Sequence, residues 1–274
     1  MSTTRMKTAA GKRTIMAALL LALAAGVSGC ATDKMTTGSI SRATSGKPVE
    51  SMSSSELASA ATALGKTYAG NPNDKSIALR YASVLQMNGQ SDQALAVMRK
   101  LAISQPKDRE VLAAYGKALA ADGQLEPALD AVRRAQTPEY PDWKLASAEG
   151  AILDQLGQPQ EARQLYRKAL DIKPNEPSVL SNLGMSYVLE GDLKAAETYM
   201  RQAAAAPGAD SRVRQNLALV IGLQGRFDEA ENIARGELSP EQAQANVAYL
   251  RGMLSQQNAW NQLRRQDKKA SATN

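Results

Sequence analysis

The stretch PSVLSNLGMSYVLEGDLKAAETYMRQAAAAPGAD, residues 177–210, is one copy of a unit that recurs along this chain every 34 residues. Its Gly191 is matched by Gly89, Gly123, Gly157 and Gly225, and its Ala196 by Ala94, Ala128, Ala162 and Ala230, with no insertion between copies. Counting from Pro177 as position 1, the alanine falls at position 20 and the glycine at position 15. Leu180, Leu183, Tyr187 and Met200 then lie at helical spacing and give each of two helices one apolar stripe. Position 8 holds Ala82, Gly116, Gly150, Gly184 or Ala218, small residues where two helix backbones must approach closely. The position-15 glycine suits a first helix that ends in left-handed backbone, which costs least without a Cβ. Just before position 1 stand Asp74, Asp108, Asp142, Glu176 and Asp210; the four aspartates are good N-cap acceptors. Pro106 and Pro174 share position 32, where the second helix should stop, and Pro141 sits one residue off that column. Start, turn and stop signals therefore agree with the apolar pattern.

A unit of this length and pattern resembles the tetratricopeptide repeat (TPR), two antiparallel helices that bury their apolar faces only by stacking on neighbours. The expected fold is all-α, a right-handed solenoid of helix pairs with repeats near 75–108, 109–142, 143–176, 177–210 and 211–244. Pro72 lies 34 residues before Pro106, so residues 56–69 read as the second helix of an incomplete leading repeat. Gly252 lies 34 after Ala218, which makes residues 240–257, or slightly more, the first helix of an incomplete trailing repeat. About twelve helices are expected, with the solenoid over 56–258 and a polar, frayed tail over 259–274 that carries Arg264, Arg265, Lys268 and Lys269. Repeat 3 departs from the pattern with Glu149 at position 7, and repeat 1 with Leu101 where position 27 prefers alanine. Aromatic content is 4% and nothing alternates with period two, so no sheet is expected.

Ahead of the repeats, residues 1–13 are basic and polar, residues 14–27 almost wholly apolar or small, and Val27-Ser28-Gly29-Cys30 closes the run. The apolar stretch is shorter than the roughly 20 residues that a membrane span needs. It reads as a signal peptide over 1–29 ending in a lipobox, with Cys30 the acylated first residue of the mature chain; the alternative is ordinary secretion with an incidental thiol. Cys30 is the only cysteine, so no internal disulfide can form. Because Ala31 and not aspartate follows it, the resemblance to sorted bacterial lipoproteins implies an outer-membrane address, with the domain facing the periplasm. Residues 30–55 read as the lipidated cysteine and a flexible Ser/Thr/Gly/Lys linker with a root-mean-square reach of roughly 25–30 Å. The net charge of +6 also needs correction for the leader. Removing Arg5, Lys7, Lys12 and Arg13 leaves 29 basic residues against 27 acidic, or +2, which takes away the main support for a nucleic-acid partner.

The chain has no histidine, and its one cysteine is assigned to lipid. The usual general base, thiol nucleophile and transition-metal ligand sets are thereby missing, so no catalysis, metal, cofactor or small-molecule substrate is expected. Glu149 and Asp154 in repeat 3 read as a salt bridge or hydrogen bond to an adjacent helix, because a buried acid is costly unless paired. Trp143 is expected to pack across a repeat boundary and Trp260 to cover the open end of the last helix.

Binding should then lie on the first-helix face, at positions 2, 5, 6, 9, 12 and 13. Repeats 4 and 5 stand out, placing Ser178, Ser181, Asn182, Met185 and Leu189 beside Arg212, Gln215, Asn216, Leu219 and Leu223. Asn182 and Asn216 share position 6, and an amide that both donates and accepts can satisfy a peptide backbone whatever its side chains. The apolar neighbours would supply burial and Arg212 a contact to an acid.

The run NLALVIGLQGRFDEAENIARGELSPEQAQANVAYLRGML at residues 216–254, particularly 246–254, together with the lipobox, the short linker and the array length, resembles the TadD lipoproteins of tight-adherence (Flp) pilus systems. That resemblance implies a pilotin-like factor at the outer membrane that helps the pilus secretin localise or become stable, in support of adhesion and biofilm. An adaptor for an envelope peptidase or cell-wall enzyme is the alternative that the residues leave open.

Overall fold

The computed structural model describes residues 47–271 except 138 and 140, with side chains described as far as residue 257. The expected signal peptide, Cys30 and most of the expected linker lie outside the described residues. Among the described residues there are twelve α-helices and no strand: α1 (Ser54–Gly70), α2 (Lys75–Met87), α3 (Ser91–Ser104), α4 (Arg109–Ala121), α5 (Leu125–Ala135), α6 (Trp143–Gln155), α7 (Pro159–Ile172), α8 (Pro177–Glu190), α9 (Leu193–Ala205), α10 (Ser211–Leu223), α11 (Phe227–Arg235) and α12 (Pro240–Ser271). Helices α2 to α11 are five pairs in the expected phase. They fall into two compact units divided between Ala162 and Arg163, inside α7.

The turn and start signals act as the sequence predicts. Gly89, Gly123, Gly157, Gly191 and Gly225 all have positive φ, between 76° and 89°. The carboxylates of Asp74, Asp108, Asp142 and Asp210 accept from backbone amides of their helix starts, whereas Glu176, one methylene longer, caps nothing and accepts instead from the Ser178 hydroxyl. The small position-8 residues permit the close approach: a Cβ on Gly116 would lie 2.7 Å from Val132 Cγ2, and one on Gly184 3.0 Å from Met200 Cε.

In the first unit the core is built from Leu85, Leu95, Met98, Leu101, Val111, Leu119 and Val132. Leu101, which stands where position 27 prefers alanine, is fully buried there. Glu149 is paired, as the sequence predicts: Arg133 Nε donates to its Oε1 at 2.8 Å and Gln136 Nε2 to its Oε2 at 2.5 Å. The half-buried Trp143 has Lys144 Nζ 5.6 Å from its ring centroid.

Two boundaries differ from expectation. The sequence predicts a linker as far as residue 55, yet residues 47–53 form an ordered strap with a short 3-10 turn at Val49–Ser51. Val49 and Met52, only 6% and 8% exposed, pack on Leu57, Ala60 and Val84. Lys47 Nζ bonds Glu56 at 2.8 Å and Arg80 Nη2 donates to the Lys47 carbonyl at 2.9 Å, while Ser53 and Glu56 close a capping box on α1. Sequence position accounts for the strap. Helix α1 corresponds to the second helix of a repeat, and residues 47–53 stand 34 residues before the later part of α2, so among the described residues they take the place of that part of a first helix and cover the apolar surface it would cover.

The second departure is α12, which continues as helix to Ser271 and not to about 258. After Gly252 no glycine or proline interrupts it, and Gln, Leu, Arg and Lys are good helix formers. The expectations for Trp260 and the four basic tail residues concern side chains outside those described.

Candidate partner-binding groove

The second unit contains all ten residues singled out for partner contact, and its core explains why they stand together. Val188, Ala196, Met200, Leu217, Val220, Ile221, Ala230 and Val247 form one buried cluster, and Leu180, Ala203 and Val213 another. These residues occupy the inward columns of α8 to α12, which leaves positions 2, 6, 9 and 13 of α8 and positions 2, 6 and 13 of α10 on one side of the packed layer.

Ser178, Asn182, Met185 and Leu189 on α8 are half-buried, as are Gln215, Asn216 and Leu223 on α10. Met185 and Leu223 lean on the core cluster. Arg212 is 73% exposed, and its nearest acid, Asp210, is 3.7 Å away, so its charge is open to solvent and to an anionic group. Two of the ten residues do not line a surface. Ser181 is 3% exposed and Leu219 is equally part of the buried set, because position 5 of α8 and position 9 of α10 turn toward the neighbouring helix. The polar groups are tied to one another. Gln215 Nε2 donates to Ser211 Oγ at 2.9 Å, and Asn216 Nδ2 donates to Ser181 Oγ at 3.1 Å.

Three further residues belong to the same columns. Asn246, Tyr249 and Met253 on α12 follow Arg212, Gln215 and Leu219 by 34 residues each, and Tyr249 is 55% exposed. The repeat phase alone could have found them once Gly252 had been placed at position 8. That glycine has nothing within 4 Å of where a Cβ would stand.

Charge in this unit mostly holds helices together. Glu197 on α9 receives Arg201 from its own helix, and Gln224 and Arg226 from the turn after α10. Its carboxyl is lowered from 4.5 to about 2, first by the Arg226 hydrogen bond and then by Gln224 and Arg201, against the opposing effect of burial. Glu229 joins Arg201 at 2.6 Å and Arg226 at 3.1 Å. Arg214 bonds the Glu237 carboxylate, holding it below its ordinary range, and also the Ala209 carbonyl. Arg163 is buried with its guanidinium 4.7 Å from the Tyr187 ring centroid and 2.8 Å from Glu190. Among the described residues no group of three or more acids, histidines or cysteines is placed to hold a metal ion. No described helix is long and apolar enough to cross a membrane.

Family profiles described as tetratricopeptide repeat match residues 51–118 and 155–220, 126–177, and 211–235. The chain belongs to the tetratricopeptide-repeat family. A search of curated proteins by sequence found no match. Among solved structures the chain is similar to a thermophilic TPR protein of Thermus thermophilus, with a TM-score of 0.55 and 23% identity over 63% of this chain and 96% of that one. It is also similar to PilW, a widely conserved type IV pilus biogenesis factor, with a TM-score of 0.56 and 19% identity over 73% of this chain and 91% of that one. PilF of Pseudomonas aeruginosa aligns with a TM-score of 0.50 and 22% identity over 70% and 90% of the two chains. At these identities the likeness establishes the fold. The fold is a scaffold for protein–protein contact.

Proposed function

We propose that this protein is an outer-membrane lipoprotein, anchored through Cys30, that binds protein partners along the α8–α10 face and assists assembly, localisation or stability of a Flp-type pilus secretin. The observation that carries the binding part is the composition of that face. Half-buried amides at Asn182 and Asn216 lie among Met185, Leu189 and Leu223, with the open charge of Arg212 at one edge. Such a surface offers backbone hydrogen bonds and burial together, which is what an extended or helical segment needs. The lipobox and the TadD-like run at 216–254 support the pilus assignment, and the similarity to PilW and PilF, both TPR proteins, is compatible with it.

The test is a crosslinked capture of the tagged lipoprotein from native envelopes, with Cys30→Ala in parallel and partners identified by mass spectrometry. Recovery of an outer-membrane secretin, diminished when the anchor is lost, is the expected result. Recovery of peptidases or cell-wall enzymes with no secretin would replace the pilus role with that of an envelope adaptor.

A further inference from the structure

We propose that the buried hydroxyl of Ser181 is a positioning group for the groove: it engages the Asn216 amide nitrogen, so that Asn216 Oδ1 is the atom offered to a partner's backbone N–H. The proposal rests on the groove reading above and deepens it. Asn216 Nδ2 donates to Ser181 Oγ at 3.1 Å, and the Ser181 hydroxyl donates in turn to Met200 Sδ at 3.6 Å. The relay links α10, α8 and α9. Ser181 is too deeply buried to touch a partner, so its effect on binding must pass through Asn216.

An amide whose nitrogen is engaged by an internal acceptor has one of its two N–H donors committed, which fixes the orientation of its oxygen. Asn216 Oδ1 has no partner among the described residues and remains the acceptor. The segment at this point is therefore expected to present an N–H, which proline lacks. The pairing is not a generic consequence of the repeat. In the first unit positions 5 and 6 read Leu79-Arg80, Ala113-Ala114 and Ser147-Ala148, with no amide at position 6. The same spacing of 35 residues from a position-5 serine to a position-6 asparagine recurs in the sequence only from Ser147 to Asn182.

The test uses Asn216→Ala, Asn216→Asp and Ser181→Ala in the full chain. In the free protein, the Asn216 side-chain amide signals, assigned by their loss in Asn216→Ala, should shift in Ser181→Ala. In secretin capture from crosslinked envelopes, Asn216→Ala should weaken recovery about fivefold, the scale of one hydrogen bond. Asn216→Asp keeps an acceptor for an N–H but cannot donate to Ser181 Oγ, so its recovery should fall between that of the native chain and that of Asn216→Ala. Ser181→Ala should weaken it as well, and the double variant Ser181→Ala with Asn216→Ala should be no worse than Asn216→Ala alone. Amide signals unmoved in Ser181→Ala, additive losses, or Asn216→Asp as weak as Asn216→Ala would each overturn the proposal. Leu189→Asp with Arg212→Glu tells the two readings apart. If that pair abolishes capture while the Asn216 variants do not, the groove stands and the positioning role falls; if it too leaves capture unchanged, the groove reading itself is wrong.

Discussion

Position 6 of the first helix reads Arg80, Ala114 and Ala148 in the first unit but Asn182 and Asn216 in the second, while the packing columns of the two units are interchangeable. Both units bury the same small position-20 alanines and close each helix pair through the same left-handed glycine. What differs is what the outward columns are used for. In the first unit Arg80 is occupied by the chain itself, donating to the Lys47 carbonyl and helping to hold the strap over α1 and α2. In the second unit the equivalent side chains are amides among half-buried apolar residues. Packing restrains a repeat at its inner columns and leaves the outer ones free to take on separate tasks, closing an end in the first unit and, in the function proposed above, binding in the second.

The largest effect that separates the two ends is expected at the C-terminal one. Leu250 is buried beside Gly222, where a Cβ would lie 2.5 Å from its Cδ2, and Leu250→Ala should cost about 2–5 kcal/mol in urea unfolding. A loss under 1 kcal/mol, roughly the scale of an exposed site, would mean that α12 does not close the second unit. Next comes the position-20 column, where Ala162→Leu should overpack its helix pair by about 1–3 kcal/mol. Unchanged stability there would break the repeat phase assigned to α7.

The position-8 glycines sharpen the comparison further. Gly116→Ala meets the stiff, β-branched Val132 and should destabilise by about 1–2 kcal/mol. Gly184→Ala meets the adaptable Met200 and, at 3.2 Å, the Ala196 carbonyl oxygen, and the gain in helix propensity should hold its loss below that of Gly116→Ala, to about 0.5–1 kcal/mol. Equal losses in thermal melts would show that the two helix crossings are equally rigid. The last effect is electrostatic and is read at Glu197 in the second unit. Because the Glu197 carboxyl is lowered from 4.5 to about 2 in the folded chain, its contribution is complete above pH 4.5 and is lost as pH falls toward 2. The advantage of the native chain over Glu197→Gln, at most about 1 kcal/mol, should fade across that window and with added salt. An advantage that persists at pH 2 would mean that Glu197 acts by packing and not by charge.

Much of this molecule was legible from residue spacing. Glycines, alanines and N-cap aspartates recur at 34 residues because backbone turns and close helix approaches tolerate few residue types, so the fold announces itself in columns. The ends were less legible because repeat periodicity stops there. Val49 and Met52 sit in a stretch of Ser, Pro and Lys with no helical spacing, and only the exposed flank of α1 explains why they are buried. Ser181 likewise looked like a surface residue from its column, yet the crossing of α8 with α9 places it under Met200.

By itself, then, the sequence determined the helix pairs, their phase and the absence of histidine and second-cysteine chemistry, since each depends on local backbone preference or on composition. The tertiary structure decided which outward residues are surface and which are buried, that Arg80 is engaged by the chain's own strap, and that Asn216 is held from beneath by Ser181. Those outcomes depend on the angle and distance at which separate helices meet, which spacing along one chain does not encode.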